Sequence, residues 1–238
     1  MTFKGKKISR PFAWSYSALG DYETCPAKYG FRKAKVPTPK NPYMERGIEI
    51  HGEAEAYLKR EVRALPKSLK LLKDEFKELL VVDAIAEGQM AFTRKWEPTG
   101  WFADDVWLRV KVDAHYRSDD KTARVIDFKT GRVPFEDKYS EQKRIYAAAG
   151  MCHYPAVSQV SVELWYVDHG IIRPDPAKGK REIYTRKSHL RGIQQEFTLR
   201  AKRMESDKVL KPRPSITNCK WCDYSCHKGG PCAVAKKA

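Results

Sequence analysis

The chain has 238 residues, 42% of them hydrophobic, enough to bury a sizeable core without disulfide staples and too apolar for a disordered chain. Its 46 lysines and arginines outnumber 30 aspartates and glutamates, and the formal net charge of +16 favours a polyanionic partner, nucleic acid first, through counterion release. No window holds the ~18 apolar residues of a membrane span, no apolar run follows the basic opening Met1 to Arg10 as in a signal peptide, and no stretch sets a basic face against a long apolar one. A cytoplasmic protein without membrane association is therefore expected, and in that reducing compartment six cysteines point to metal or redox chemistry rather than disulfides.

In chain order, Ser15 and Ser17 can cap a short helix through Glu23, and Pro26 suits the first position of a second helix through about Lys33. The proline-rich run Val36 to Pro42 predicts a linker loop, followed by helices over Met44 to Val62 and Ser68 to Leu80. Gln89 to Thr93, Val106 to Arg117 and Ala123 to Lys129 have the Val, Ile, Phe and Trp content of a strand meander. A helix is predicted over Asp137 to Met151, strands over Val160 to Val167 and Glu182 to Thr185, and a long amphipathic helix over Ser188 to Glu205. The order describes an α/β fold with a mixed central sheet between helices, formed by residues 1–210, with a cysteine-rich segment at 211–238.

The densest chemistry lies in Val125-Ile126-Asp127-Phe128-Lys129-Thr130-Gly131. Alternate strand residues share a face, so Asp127 and Lys129 point together, and a carboxylate beside an ammonium at a strand end can bind a hard cation and orient a water. Asp113 ends the preceding strand and can reach the same ion if the two strands pair. Taken alone, D-x-K is also an ordinary surface pair beside a turn. Upstream, Gly47, His51 and Glu55 fall at helical spacing, which gives His51 and Glu55 one face and makes the imidazole a candidate ligand for Mn²⁺ or Mg²⁺. Downstream, Gln142 and Tyr146 share a helix face beside Lys143 and Arg144, groups suited to a phosphate or a base.

The order of these motifs, G-x-x-x-H-x-x-x-E, Asp, D-x-K and Q-x-x-x-Y, resembles the RecB-like branch of the PD-(D/E)XK nuclease superfamily from about Ser15 to Cys232, and looks closest to CRISPR-associated RecB-like exonucleases, the AddB nuclease domain and phage relatives. The resemblance implies a restriction-endonuclease-like fold and a bacterial or phage origin. It implies metal ligation by His51, Asp113, Asp127 and the Phe128 carbonyl, with Lys129 serving the attacking water and Gln142 and Tyr146 guiding the DNA. The second acidic position is often Glu in this superfamily and is Asp127 here, which alters the metal spacing.

Cys219-Lys220-Trp221-Cys222 is a C-x-x-C metal clip, with Cys226 and Cys232 following. In iron–sulfur members of the family, one cysteine before the nuclease core joins three after it around a [4Fe–4S] cluster. Carried over, these are Cys25, Cys219, Cys222 and either Cys232, reached through Gly229-Gly230-Pro231, or Cys226; the family spacing C-x2-C-x5-C is not reproduced. A Zn²⁺ site of Cys219, Cys222, Cys226 and Cys232, with Cys25 in the core, is the alternative. Cys152 belongs to the core, as do Trp14, Tyr16, Tyr22 and Tyr29 ahead of a base-stacking role, and the basic run Arg32 to Lys40 suits either a strand channel or a solvated loop.

The expected activity is metal-dependent exonucleolytic hydrolysis of DNA, at single-stranded ends or flaps, in recombination, repair or phage DNA processing. A non-catalytic DNA-binding or loading module and a structure-specific endonuclease are the alternatives. No G-x-x-x-x-G-K-[ST] loop is present, so any helicase would be a separate partner.

Overall fold

The computed structural model describes residues 12–39, 41–175 and 178–237; the basic opening Met1 to Arg10 and Lys40 of the second basic run lie outside them. Helices α1 (Tyr16–Thr24) and α2 (Pro26–Lys33) open the chain. The Ser15 side chain caps α1 by accepting from the Ala18 N–H, and Pro26 takes the first turn of α2, where its missing N–H costs nothing. Helix α3 (Pro42–Leu58) starts two residues before the expected Met44, because the Asn41 side chain caps it and Pro42 suits its first position. It stops at Leu58, short of Val62, and Arg60 just beyond has a positive φ of 62°. The helix expected over Ser68 to Leu80 divides into a 3₁₀ segment, Lys67–Leu72, and α4 (Lys73–Val81), because Leu72 leaves helical geometry at ψ 36°.

Seven strands follow: β1 (Ile85–Phe92), β2 (Pro98–Thr99), β3 (Leu108–Arg117), β4 (Thr122–Lys129), β5 (Gln159–Tyr166), β6 (Ile171–Arg173) and β7 (Ile183–Thr185). Helix α5 (Ser140–His153) crosses between β4 and β5, and α6 (Arg191–Ser206) and the short α7 (Ile216–Lys220) follow the sheet. The sheet order is β2-β1-β3-β4-β5-β6, with β7 also on β5. Among the named strands of the described residues, only β4 and β5 pair in parallel, as the α5 crossover between them requires.

The sheet separates two cores. One gathers Leu19 and Tyr22 of α1, Ile145 and Tyr146 of α5, and Ile193 and Phe197 of α6 against Val125 and Val162. The other gathers Ile50 and Tyr57 of α3 and Phe76 and Leu79 of α4 against Ile126, Phe128 and Trp165. This mixed α/β sandwich, its sheet mostly antiparallel, is the expected fold class. Trp14, Tyr22, Tyr29 and Cys152 are buried in the first core, with Tyr16 packed against it. No helix among the described residues is long and apolar enough to cross a membrane.

Candidate active site

The site forms where β3 and β4 part. Along β3, Leu108, Val110 and Val112 enter the core under α5 and α6, whereas Ala114 and Tyr116 enter the core under α3 and α4. Residues of one parity in a regular strand share one face, so the strand turns over at Asp113. The neighbouring strand breaks at the same level. Pairs Ala86↔Ala114 and Gly88↔Val112 flank Glu87, whose φ of 53° is left-handed for a residue inside a strand. Pairing of β3 with β4 extends only to Ala114↔Ile126, and the Phe128 N–H instead donates to Asp113 Oδ2 at 2.5 Å.

Helix α3 supplies the imidazole. His51 Nδ1 lies 2.8 Å from Asp113 Oδ1, and one turn earlier a Cβ on Gly47 would meet Thr130 Oγ1 at 3.3 Å, so the glycine lets α3 approach the end of β4 closely. Burial pushes the His51 imidazolium down, but the hydrogen bond and charge of Asp113, with the charge of Asp127, outweigh it and leave the pKa raised. Glu87 completes this corner: donor atoms of His51, Glu87 and Asp113 all lie within 4.8 Å of one another. Hard oxygen and imidazole donors at that spacing suit Mg²⁺ or Mn²⁺. Sequence reasoning missed Glu87, because its strand began at Gln89 there and Glu87-Gly88 has turn composition.

Asp127 and Lys129 share a face of β4 and close a ring with α5. Tyr146 donates its hydroxyl proton to Asp127 Oδ1 at 2.8 Å, Gln142 Nε2 donates to the Tyr146 oxygen at 2.7 Å, and Lys129 Nζ donates to Gln142 Oε1 at 3.1 Å. Lys129 Nζ also lies 2.6 Å from Asp127 Oδ2 and 4.3 Å from the Tyr139 ring centre. Among the described residues the Lys129 ammonium is the sole partner of the buried Asp127 Oδ2. Burial pushes the Asp127 carboxyl up and the Asp113 charge adds to this, against Lys129 and Tyr146.

Other expected residues lie elsewhere. Glu55 pairs with Lys59. Lys143 is buried between Asp137 and Glu182, and Arg144 pairs with Glu196 at 2.5 Å. Both cations are engaged by acids away from the ring.

The model of the PD-(D/E)XK nuclease superfamily matches residues 13–227. The chain belongs to that superfamily. Comparison with curated proteins gives no match. Among solved structures, this nuclease is similar to SSO0001, at 14% identity over 97% of this chain and 90% of the other, with a TM-score of 0.43. It is also similar to a protein of Eubacterium rectale named "putative exonuclease", at 13% identity over 95% and 90%, with a TM-score of 0.47.

The cysteine corner of the nuclease sits on α1 and α2. Cys25, Cys219, Cys222 and Cys232 line one cavity, with Cys25 Sγ 3.3 Å from the Arg213 N–H; exposed Cys226 is outside that lining. A Cβ on Gly230 would come within 2.3 Å of the Tyr224 carbonyl carbon, so this glycine lets the loop carrying Cys232 fold back. Burial raises the Cys222 and Cys232 thiols, and nearby Cys25 and Cys219 push both further up. Among the described residues, no three of these sulfurs lie within 4.8 Å of one another.

Proposed function

We propose that the chain is a divalent-metal-dependent exodeoxyribonuclease acting on DNA ends or flaps. One observation supports this reading: His51 from α3 meets Asp113 from β3, 62 residues away, and the other Asp113 oxygen takes the N–H of Phe128, which stands between the paired Asp127 and Lys129 of β4. Mg²⁺ or Mn²⁺ held by His51, Asp113, Asp127 and the Phe128 carbonyl, with Glu87 within reach, would polarise the phosphodiester and acidify the attacking water. Lys129 then places a positive charge against the phosphate oxygen as charge builds there. Gln142 and Tyr146 hold the Lys129 ammonium and the Asp127 carboxylate in register, so the Q-x-x-x-Y face acts on these groups directly as well as bordering the DNA path.

A [4Fe–4S] cluster on Cys25, Cys219, Cys222 and Cys232 belongs to the same reading. These four sulfurs line one cavity, and no three of them lie within 4.8 Å of one another, which favours a cluster over a single tetrahedral Zn²⁺. Such a cluster would tie the start of α2 to the C-terminal segment. Anaerobically purified protein is then brown, and a colourless protein with stoichiometric zinc is the contrary result.

The deciding experiment is cleavage of end-labelled DNA with Mn²⁺ by Asp127→Ala and Lys129→Ala. Both lose cleavage while retaining DNA binding; normal cleavage by both would end the assignment, and ladders beginning inside the strand would make it an endonuclease.

A further inference from the structure

Strand β3 pairs with β1 along one edge, but its other edge is shared. At its start, Trp14 bridges Leu108, with Trp14 N–H donating to the Trp107 carbonyl and Arg109 N–H to the Trp14 carbonyl, both at 2.9 Å. At its end β4 pairs, from Ala114 onward. Residues 110–113 have no strand partner on that side among the described residues. A cleft of about 350 Å³ opens along this stretch.

Its walls are Ser15, Tyr16 and Ser17 at the start of α1, Trp101 from the loop before β3, Arg109 and Lys111 of β3, and Gln142 and Tyr146 of the catalytic ring. No acid lines it. The cavity beyond β5, by contrast, carries Glu136, Asp137, Asp175 and Glu182. Arg109 is tied to Trp101 twice: Nε donates to the Trp101 carbonyl at 2.8 Å and the guanidinium stands 5.7 Å from the indole centre. Among the described residues Arg109 has no carboxylate partner, and Trp101 is only half-buried. Lys111, at the far end, pairs with Glu87 beside His51 and Asp113.

We propose that this cleft seats one unpaired nucleotide next to the scissile phosphate, its base on Trp101 and its phosphate between Arg109 and Lys111. An indole face accepts any base, Arg109 has no carboxylate partner among the described residues and can accept the backbone beside Lys111, and Gln142 and Tyr146 make the cleft continuous with the ring that holds Lys129. A duplex cannot stack a base on Trp101 without opening, so the substrate is single-stranded where it meets the site. This inference rests on the nuclease reading and specifies its substrate.

The test is a double-mutant cycle between protein and DNA. Wild type, Trp101→Ala, Trp101→Phe and Arg109→Gln are titrated against single-stranded oligonucleotides in Ca²⁺ by fluorescence anisotropy and assayed for cleavage in Mn²⁺. Each is given intact strands and strands with a single abasic residue scanned inward from each end. At one position, removing the base costs the wild type roughly 5- to 100-fold in affinity. Trp101→Ala shows the same loss on intact DNA and no further loss at that abasic position, while Trp101→Phe keeps most of the affinity. Arg109→Gln weakens intact and abasic strands alike. If Trp101→Ala binds intact DNA normally, or if its loss adds to the abasic loss at every position, the subsite is wrong. Should wild type fail to cleave DNA, the nuclease reading falls while the anisotropy cycle still decides the subsite; should it cleave with additive losses, only the subsite falls.

Discussion

Two partly buried ion pairs involve β4, and they are built differently. Arg124 meets Glu163 of β5 through two guanidinium nitrogens, at 2.9 and 3.1 Å, while Glu78 takes its other nitrogen at 3.0 Å and the Trp165 indole N–H donates to Glu163 Oε2 at 3.0 Å. Its partners overcome the burial that opposes its charge, and the guanidinium pKa is raised. Asp127 and Lys129 lie on the same strand, but Asp127 Oδ2 has Lys129 as its sole partner among the described residues and burial pushes the carboxyl upward. A saturated pair serves the fold; an incompletely satisfied one retains a lone pair for chemistry.

That contrast can be broken most directly at Asp127. Asp127→Asn should lower the rate by at least about a thousandfold, since several kcal/mol of transition-state stabilisation depend on its charge. Its effect on stability has the opposite sign to the usual loss. A carboxyl that keeps its proton to higher pH when folded than when unfolded makes ionisation unfavourable to the fold, so stability from this group falls as pH rises above the ordinary carboxylate range. At neutral pH Asp127→Asn is therefore neutral to stabilising in urea denaturation, and a marked destabilisation would make Asp127 structural. Glu163→Gln should do the reverse: about 1–3 kcal/mol lost in denaturation, because Arg124 keeps only the more exposed Glu78 as a charge partner, with cleavage per folded molecule retained.

The packing of β1 against β3 gives a smaller effect. A Cβ on Gly88 would fall 2.2 Å from His115 Cδ2, and His115 is buried against the Tyr154 hydroxyl at 2.7 Å with its pKa pushed down to about 4 by burial, then by His153. Gly88→Ala should cost about 1–3 kcal/mol through overpacking. Combining it with His115→Ala should cost less than the sum of the two single changes, because the methyl group then has the vacated ring space. Additive losses would show that Gly88 serves backbone conformation instead.

The sequence exposed the parts of this molecule that depend on local pattern. The helix starts at Ser15 and Pro26, the shared strand face of Asp127 and Lys129, and the helical spacing of Gln142 and Tyr146 can each be read from neighbours in the chain. What stayed hidden depends on contacts between distant segments. Lys143 looks like a phosphate-binding cation until Glu182, 39 residues away, is seen to cover it. Trp101 lies in a loop without periodicity, and only the divergence of β3 from β4 gives it a cleft to line. Most of all, alternation along β3 suggests one continuous face, yet Asp113 owes its position to the break in that alternation.

Glu87 shares that break, and it offers the finest comparison between an acid that serves the fold and one that serves the site. Its left-handed φ is unfavourable for a side chain that brings no glycine's freedom, and nothing in strand pairing rewards it. The conformation does bring its carboxylate beside His51 and Asp113, where Lys111 pairs with it. If Glu87 only neutralised Lys111, Glu87→Gln would leave Mn²⁺ binding intact. As a member of the metal corner it should instead weaken Mn²⁺ binding about 10- to 100-fold, read by electron paramagnetic resonance titration of free ion as well as by the Mn²⁺ concentration that half-saturates cleavage. Glu87→Gly separates geometry from charge: it relaxes the backbone and removes the carboxylate, so its metal affinity should match that of Glu87→Gln while its stability is higher. Metal binding at wild-type strength in both variants would assign the strained residue to Lys111 alone.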